Sequence, residues 1–206
     1  MKILGITGGV GAGKSTVLRY LEKRYHAGTI ELDALAASLQ MPGKACSGPI
    51  VELFSEDILH PDRTLDREKI ARIVFDNPEL LEKLNEIVHP AVKEETRRII
   101  RQIRERGEAE PPFLVIEAAL LIDDHYAEIC DDICYLYAPQ PVRRKRLRDS
   151  RGYTDEQIDR MFHAQRSEDS FRMLTDFTID NSDGIVQNTY ELVDRALREH
   201  GYAAGD

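Results

Sequence analysis

The chain has 206 residues, a formal net charge of −9, 42% hydrophobic and 32% charged residues. A chain of this size fits one α/β domain with an inserted subdomain and buries roughly 70% of the surface that its unfolded form exposes, so its core needs no staples. The acidic balance argues against a general nucleic-acid binder, which needs a basic footprint, although basic clusters at Arg97 to Arg106 and Arg143 to Arg151 could oppose it locally.

The segment from Lys2 to Thr7 is an apolar run that ends in glycines and reads as a strand buried on both faces. Lys14 to Arg24 reads as a helix with Val17, Leu18 and Leu21 on its apolar side, and Thr29 to Leu32 as a second short strand. From Asp33 to Arg106 the pattern is helical, broken early by Pro42-Gly43 and Ser47-Gly48-Pro49. Asp66 is a plausible N-cap for a helix through Phe75, and Asn77-Pro78 a strong helix start. That next helix carries Leu80, Leu81, Leu84, Ile87 and Val88, and Pro90 is expected to kink or interrupt it. After a linker at Glu108 to Pro112 come strands at Phe113 to Ile116, closing on Glu117, and at Ile133 to Tyr137. Gln140 to Ser150 reads as a basic helix, Thr154-Asp155-Glu156-Gln157 as a capping box, Phe177 to Asp180 as a last strand and Gly184 onward as a closing helix.

Alternating strands and helices imply a parallel sheet covered on both faces. The strand-free stretch breaks the alternation and reads as an insertion over the sheet edge where such folds bind ligands. The expected organisation is a single domain, 1–206, with a sheet-bearing core at 1–32 and 107–206, a helical insertion at 33–106 and a further helical segment at 140–170. The cysteines Cys46, Cys130 and Cys134 read as free thiols, since their odd number and spacing make neither a disulfide framework nor a zinc site. The short start before the first motif reads as too short for a signal peptide, and no apolar run is long enough to span a membrane. The expectation is a cytoplasmic protein without nucleic-acid or membrane partners, as a monomer or weak homo-oligomer.

The chemistry starts at Gly8-Gly9-Val10-Gly11-Ala12-Gly13-Lys14-Ser15-Thr16, which fills the spacing G-x-x-x-x-G-K-[ST] between a strand and a helix. Glycines let such a loop point successive N–H groups at phosphate oxygens, and the helix adds its positive end. Lys14 is expected to reach the β- and γ-phosphates of ATP, Ser15 to ligate Mg²⁺, and Thr16 to add a contact near the α-phosphate. No guanine-reading Asn-Lys-x-Asp tetrapeptide occurs, and the chain is short for a motor ATPase. What remains is the class of small-molecule P-loop kinases, which makes 1–32 with 107–206 the expected nucleotide-binding core, 33–106 the helical acceptor subdomain and 140–170 an Arg-rich lid. In the Arg143 to Arg151 run, Arg146 and Arg151 are the candidates for neutralising transferred phosphoryl oxygens, the alternative being a solvated helix face. Asp33, just after the second strand, is either a general base for an acceptor hydroxyl or the N-cap of the next helix.

The run Gly5-Ile6-Thr7-Gly8 to Thr16 closely resembles the opening of dephospho-coenzyme A kinases. Further landmarks follow in that family's order: Glu31-Leu32-Asp33-Ala34-Leu35-Ala36, Pro42-Gly43, Ile58-Leu59, Leu65-Asp66-Arg67, Val74-Phe75, Val88-His89-Pro90 and Leu120-Leu121. Arg151-Gly152-Tyr153-Thr154, Gln165 and Ile179-Asp180-Asn181 resemble its lid and adenine-side turn. The resemblance implies a P-loop NTPase fold and the transfer of phosphate from ATP to the ribose 3′-hydroxyl of dephospho-coenzyme A. It makes Asp33 the base, puts His89 and Arg67 among the acceptor-side residues and Asn181 on the nucleotide side. The chain departs from the family pattern at Glu31, Ala37, Glu117-Ala118-Ala119, Asp123 and the stretched Asn181-Ser182-Asp183-Gly184. Glu117, an acidic residue ending a strand beside the loop, could assist Mg²⁺ through water or be a surface or helix-facing carboxylate.

Overall fold

The computed structural model describes residues 1–75, 77–107, 111–119, 121–122 and 126–202. The chain divides into two compact units, Met1–Ile30 with Glu108–Asp206, and Glu31–Gly107.

The first unit is built on five strands: β1 (Lys2–Thr7), β2 (Gly28–Glu31), β3 (Phe113–Glu117), β4 (Asp132–Tyr137) and β5 (Phe177–Asp180), in the order β2-β3-β1-β4-β5. β1 is central and pairs in parallel with β3 and β4, and β4 pairs in parallel with β5. The register sets Ile6 opposite Glu117, Thr7 opposite Tyr135, and Tyr137 opposite Asp180. The chain therefore leaves β1, β3, β4 and β5 at one edge of the sheet, where parallel sheets bind ligands. The same ladder continues one step past the strands. Ala118 N–H donates to the Ile6 carbonyl at 3.3 Å, and Asn181 N–H donates to the Tyr137 carbonyl at 2.8 Å.

Strand residues alternate between faces, and here both faces are covered, which is why β1, β3 and β4 read as continuous apolar runs. On one face Leu4, Ile6, Phe113, Val115, Cys134 and Leu136 meet Val17, Leu18, Leu21 and Tyr25 of α1 (Lys14–Tyr25). Val193 and Leu197 of the closing helix α9 (Val186–Glu199) complete that layer. Tyr20 and Tyr25 both donate to Asp194, at 2.7 and 2.6 Å, and Tyr20 stacks on Tyr190 at 3.8 Å, which ties α1 to α9. Burial, with Asp194 adding to it, pushes the Tyr25 phenol up to about 12. The alternate residues Ile3, Leu114, Ile116, Ile133 and Tyr135 are buried as well, and Tyr135 stacks on Phe171 of the short helix α8 (Glu168–Met173). Cys134 is a buried free thiol and Cys130 a half-buried one, pushed up to about 12 by burial.

Helix α6 (Gln140–Arg151) follows β4, and α7 (Asp155–His163) follows α6. The capping box expected at Thr154 is present. Thr154 Oγ1 accepts from Gln157 N–H at 3.3 Å, and Gln157 Oε1 accepts from Thr154 N–H at 2.9 Å. Much of the basic run on α6 is structural. Arg144 pairs with Asp155 at 2.8 Å and with Asp159, Arg148 reaches Asp155 at 3.7 Å, and Arg144 lies over the Phe162 ring. These contacts fasten α6 to α7.

The second unit consists of α2 (Leu32–Leu39), α3 (Ser47–Phe54), α4 (Arg67–Phe75) and α5 (Pro78–Arg104), with α2, α3 and α4 each packed on α5. Asp66 caps α4 by accepting from Lys69 N–H at 2.9 Å, and Asn77 caps α5 by accepting from Leu80 N–H at 3.1 Å. Two expectations are corrected. The interruption expected at Pro90 is absent, since α5 continues from Pro78 to Arg104 with Pro90 inside it. The missing proline N–H strands only the Glu86 carbonyl, and both residues are exposed, so water can serve it. Asp33 is not an N-cap, because α2 opens at Leu32 and Asp33 lies inside its first turn. A third difference concerns α5 packing. Burial concentrates on Val92, Thr96 and Ile100, four residues apart on one face, while Leu81 is exposed.

At the opposite end of β4, Asp132 gathers three donors. Tyr202 Oη donates to it at 2.8 Å, Lys2 Nζ lies at 3.4 Å and His200 Nδ1 at 3.2 Å. Burial alone raises the Asp132 carboxyl, but these partners outweigh it and hold the group below its ordinary 3.8. A carboxyl lowered by folding stabilises the protein above its unfolded pKa, and this is lost as pH falls through the folded value. Asp132→Asn is therefore expected to destabilise by about 1.5 kcal/mol at neutral pH. Urea denaturation across pH checks this: the difference from the parent protein should shrink towards zero below about pH 4.

Candidate functional site

The loop between β1 and α1 has a backbone that only glycine serves well. At Gly13 φ is +105°, and an added Cβ would lie 2.5 Å from Asn181 Nδ2. Gly13 is also the N-cap of α1, so no side chain caps the helix, and no acidic residue stands in its first turn. Thr16 and Val17 N–H donate to the Gly13 carbonyl, so the Lys14 and Ser15 amides and the positive end of the dipole are left for an outside anion. The loop residues present fit a bound phosphate chain.

While the amides are free of side-chain caps, the loop carbonyls are tied down. Asn181, buried at the end of β5, donates from Nδ2 to the Ala12 carbonyl at 2.7 Å. Arg146 of α6 donates to the Ala12 carbonyl at 3.2 Å, to Gly11 at 3.5 Å, and to the Asn181 carbonyl at 2.9 Å. Burial pulls the Arg146 guanidinium below its usual range, with Asp183 opposing. Arg143, one turn earlier on α6, donates to Val10 and Ala138 carbonyls and to Gln165 Oε1. Thr189 Oγ1 of α9 donates to Asn181 Oδ1 at 2.8 Å and fixes which way the amide faces.

Lys14, the first residue of α1, turns back over the loop. Its Nζ donates to the Gly8 carbonyl at 2.9 Å and stands 3.3 Å from Glu117 Oε1. Glu117 is buried at the end of β3, which removes the surface-carboxylate reading of it. Ser15 is exposed and Thr16 half-buried in the first turn of α1. Among the described residues no group of three His, Cys, Asp or Glu forms a metal cage. A hydroxyl at Ser15 beside a phosphate site suits a hard cation carried largely by phosphate oxygens and water.

The structure brings Gly8, Gly9, Val10, Gly11, Ala12, Gly13, Lys14, Arg146 and Asn181 into one cluster. Arg151 is exposed at the last residue of α6, outside that cluster of contacts. In the helical unit, Asp33 is exposed in the first turn of α2, two residues beyond the end of β2. Arg67, exposed at the start of α4, donates to the Ala37 carbonyl at 3.0 Å, and His89 is half-buried on α5 next to Pro90. Leu120 and Asp123 lie outside the described residues. Sequence reasoning passed over Arg143, Gln165 and Thr189 as partners of the loop. Arg143 had one available signal: it stands four residues before buried Leu147, on the inward face of a helix whose Arg144, Arg148 and Arg151 lie on the other side.

A family model described as dephospho-CoA kinase matches residues 2–187. A dephospho-CoA kinase of Corynebacterium diphtheriae is 33% identical over 199 residues, 97% of this chain and 95% of that protein. The solved structure of TT1252 from Thermus thermophilus superposes with a TM-score of 0.79 at 29% identity, covering 96% of this chain and 97% of that one. A dephospho-CoA kinase structure from Campylobacter jejuni, 20% identical, shares the fold with a TM-score of 0.68 over 97% of this chain and all of that one, 100%. The fold is that of the P-loop NTPases. Among the described residues no helix is long and apolar enough to cross a membrane.

The brace at Asn181 makes a specific expectation. Asn181→Ala removes one hydrogen bond from the Ala12 carbonyl, which keeps Arg146, and one from the Thr189 hydroxyl, which keeps the Ile185 carbonyl, and costs about 1 kcal/mol of stability. Both the denaturation midpoint and the affinity for ATP are expected to fall, as read by urea titration and by calorimetric titration of the nucleotide.

Proposed function

The chain belongs to the dephospho-CoA kinase family, and we propose that it transfers the γ-phosphoryl group of ATP to the ribose 3′-hydroxyl of dephospho-coenzyme A, giving coenzyme A and ADP. The observation that carries the nucleotide half of this reading is the uncapped α1 N-terminus behind Gly13, with Lys14 at its first position. The acceptor half rests on family membership and on Asp33 in the first turn of α2.

In this reading the loop amides and the α1 dipole hold the β- and γ-phosphates. Lys14 exchanges the Gly8 carbonyl for phosphate oxygens, and its ion pair with Glu117 limits where its long side chain can swing. Ser15 would hold Mg²⁺, which when bound neutralises phosphate oxygens and aligns the chain for in-line transfer. Asp33 accepts the proton of the 3′-hydroxyl as its oxygen bonds to the γ-phosphorus and the bond from that phosphorus to the ADP oxygen breaks. The helical unit Glu31–Gly107 takes the coenzyme, with His89 and Arg67 among its contacts, and the 140–170 segment closes over the phosphates. Arg146 supports the reacting geometry through the loop carbonyls it holds, and Arg151, free of the cluster, is the candidate to close on the transferred group. Asn181 serves the nucleotide side.

A coupled ADP-release assay across dephospho-coenzyme A, shikimate, gluconate and nucleosides decides the acceptor. Turnover is expected with dephospho-coenzyme A alone and to vanish in Lys14→Ala; turnover only with another acceptor would reject the assignment. Asp33→Asn is expected to lower kcat by roughly 10²–10⁴-fold with fold and ATP affinity kept. A loss below tenfold would remove Asp33 from the role of base.

A further inference from the structure

Arg143 is 6% exposed, yet its hydrogen-bond acceptors are all neutral. Nε donates to the Ala138 carbonyl at 3.0 Å, and Nη1 donates to Gln165 Oε1 at 3.0 Å and to the Val10 carbonyl at 3.4 Å. The guanidinium lies over the Phe162 ring, 4.5 Å from its centroid. Among the described residues no carboxylate lies within ion-pairing distance of it. Its neighbours differ: Arg144 holds two aspartates and Lys14 holds Glu117. Tyr135, Glu168 and Tyr137 favour its charge from further off, but burial outweighs them and pulls the guanidinium below its usual range.

A buried cation without a counter-ion is costly, and proteins seldom keep one unless something compensates it. The position of this one says what does. A Cβ added to Gly9 would lie 2.1 Å from Arg143 Nη1, so the charge sits directly against the backbone of the phosphate loop. The compensating anion is then the phosphate chain on the loop's other side.

We infer that Arg143 is an electrostatic positioning residue for the nucleotide polyphosphate, a buried cation behind the loop whose missing counter-ion is the ligand itself. This rests on the reading that the loop takes ATP. Because the coupling is reciprocal, the bound polyphosphate stabilises the buried charge as much as the charge tightens the polyphosphate. Glycine at position 9 is required by the same arrangement, since any side chain there would displace the guanidinium.

The test compares ATP and AMP affinities by calorimetric titration, and the melting temperatures of the free proteins, in the parent chain and three variants. In Arg143→Gln the Kd for ATP is expected to rise about fivefold or more, and that for AMP less than about twofold, because coupling scales with the charge compensated. The melting temperature of the free variant should hold or rise, since an unpaired buried charge has been removed. Arg143→Lys keeps the charge and should keep most of the ATP-over-AMP preference. Gln165→Glu supplies a carboxylate 3.0 Å from the guanidinium; it should raise the melting temperature of the free protein while weakening ATP. That variant decides the matter if Arg143→Gln does not fold. A lower melting temperature with ATP and AMP affinities changed in equal proportion, or unchanged, would make Arg143 a packing residue and overturn the inference alone. A parent chain that binds neither nucleotide would defeat the reading of the loop and the inference together.

Discussion

The constraint on which the rest of this structure depends is the division of labour in the backbone of residues 8–16. Its amides must face an anion, so its carbonyls must be satisfied from behind. Water is a poor partner for them, because the loop is walled by buried side chains. The protein supplies fixed donors instead: Arg143 to Val10, Arg146 to Gly11 and Ala12, and Asn181 to Ala12. Each donor comes from a different turn of α6 or from the end of β5. The loop is therefore only as well formed as the packing of those elements on the sheet. Anion binding by preorganised amides needs this rigidity, since amides that must first reorient lose part of their advantage.

The sheet explains why those donors arrive together. The parallel register puts the ends of β1, β3, β4 and β5 side by side, so that the loop, Glu117, the start of α6 and Asn181 converge without long connections. The core behind them is anchored on both faces of β1, β3 and β4, and the tyrosine pair on Asp194 fixes α1 to α9. Thr189 on α9 then orients the Asn181 amide, so even the closing helix bears on the loop. Chemistry at the loop and stability of the core are parts of one arrangement.

The positive charge of this unit is correspondingly sorted by role. Arg144 and Arg148 are spent on aspartates of α7 and hold two helices together. Arg143 and Arg146 are turned inward to neutral acceptors at the loop. Arg151, the last residue of α6, is exposed and outside both sets of contacts. A run that looks uniform as a string of letters thus contains three kinds of cation, and helical periodicity separates them.

Much was legible in the sequence, for physical reasons that operate locally. The glycine pattern before Lys14-Ser15 specifies a backbone that other residues cannot adopt, Thr154 and Gln157 cap their own helix, and Asn77-Pro78 starts α5. Strands buried on both faces announce themselves as unbroken apolar runs. What the sequence could not decide depends on partners far along the chain. Pro90 passes through α5 because its stranded carbonyl is exposed. Asp33 is inside α2 rather than capping it. Glu117 is a buried partner of Lys14 rather than a surface carboxylate. Arg143 reaches Val10 across 133 positions and Asn181 reaches Ala12 across 169. By itself the sequence determined that a loop of this shape exists and that it suits phosphate, because loop shape is set by neighbouring residues. Only the tertiary structure decided which side chains hold that loop, because a hydrogen bond between distant segments is fixed by packing and register, not by spacing.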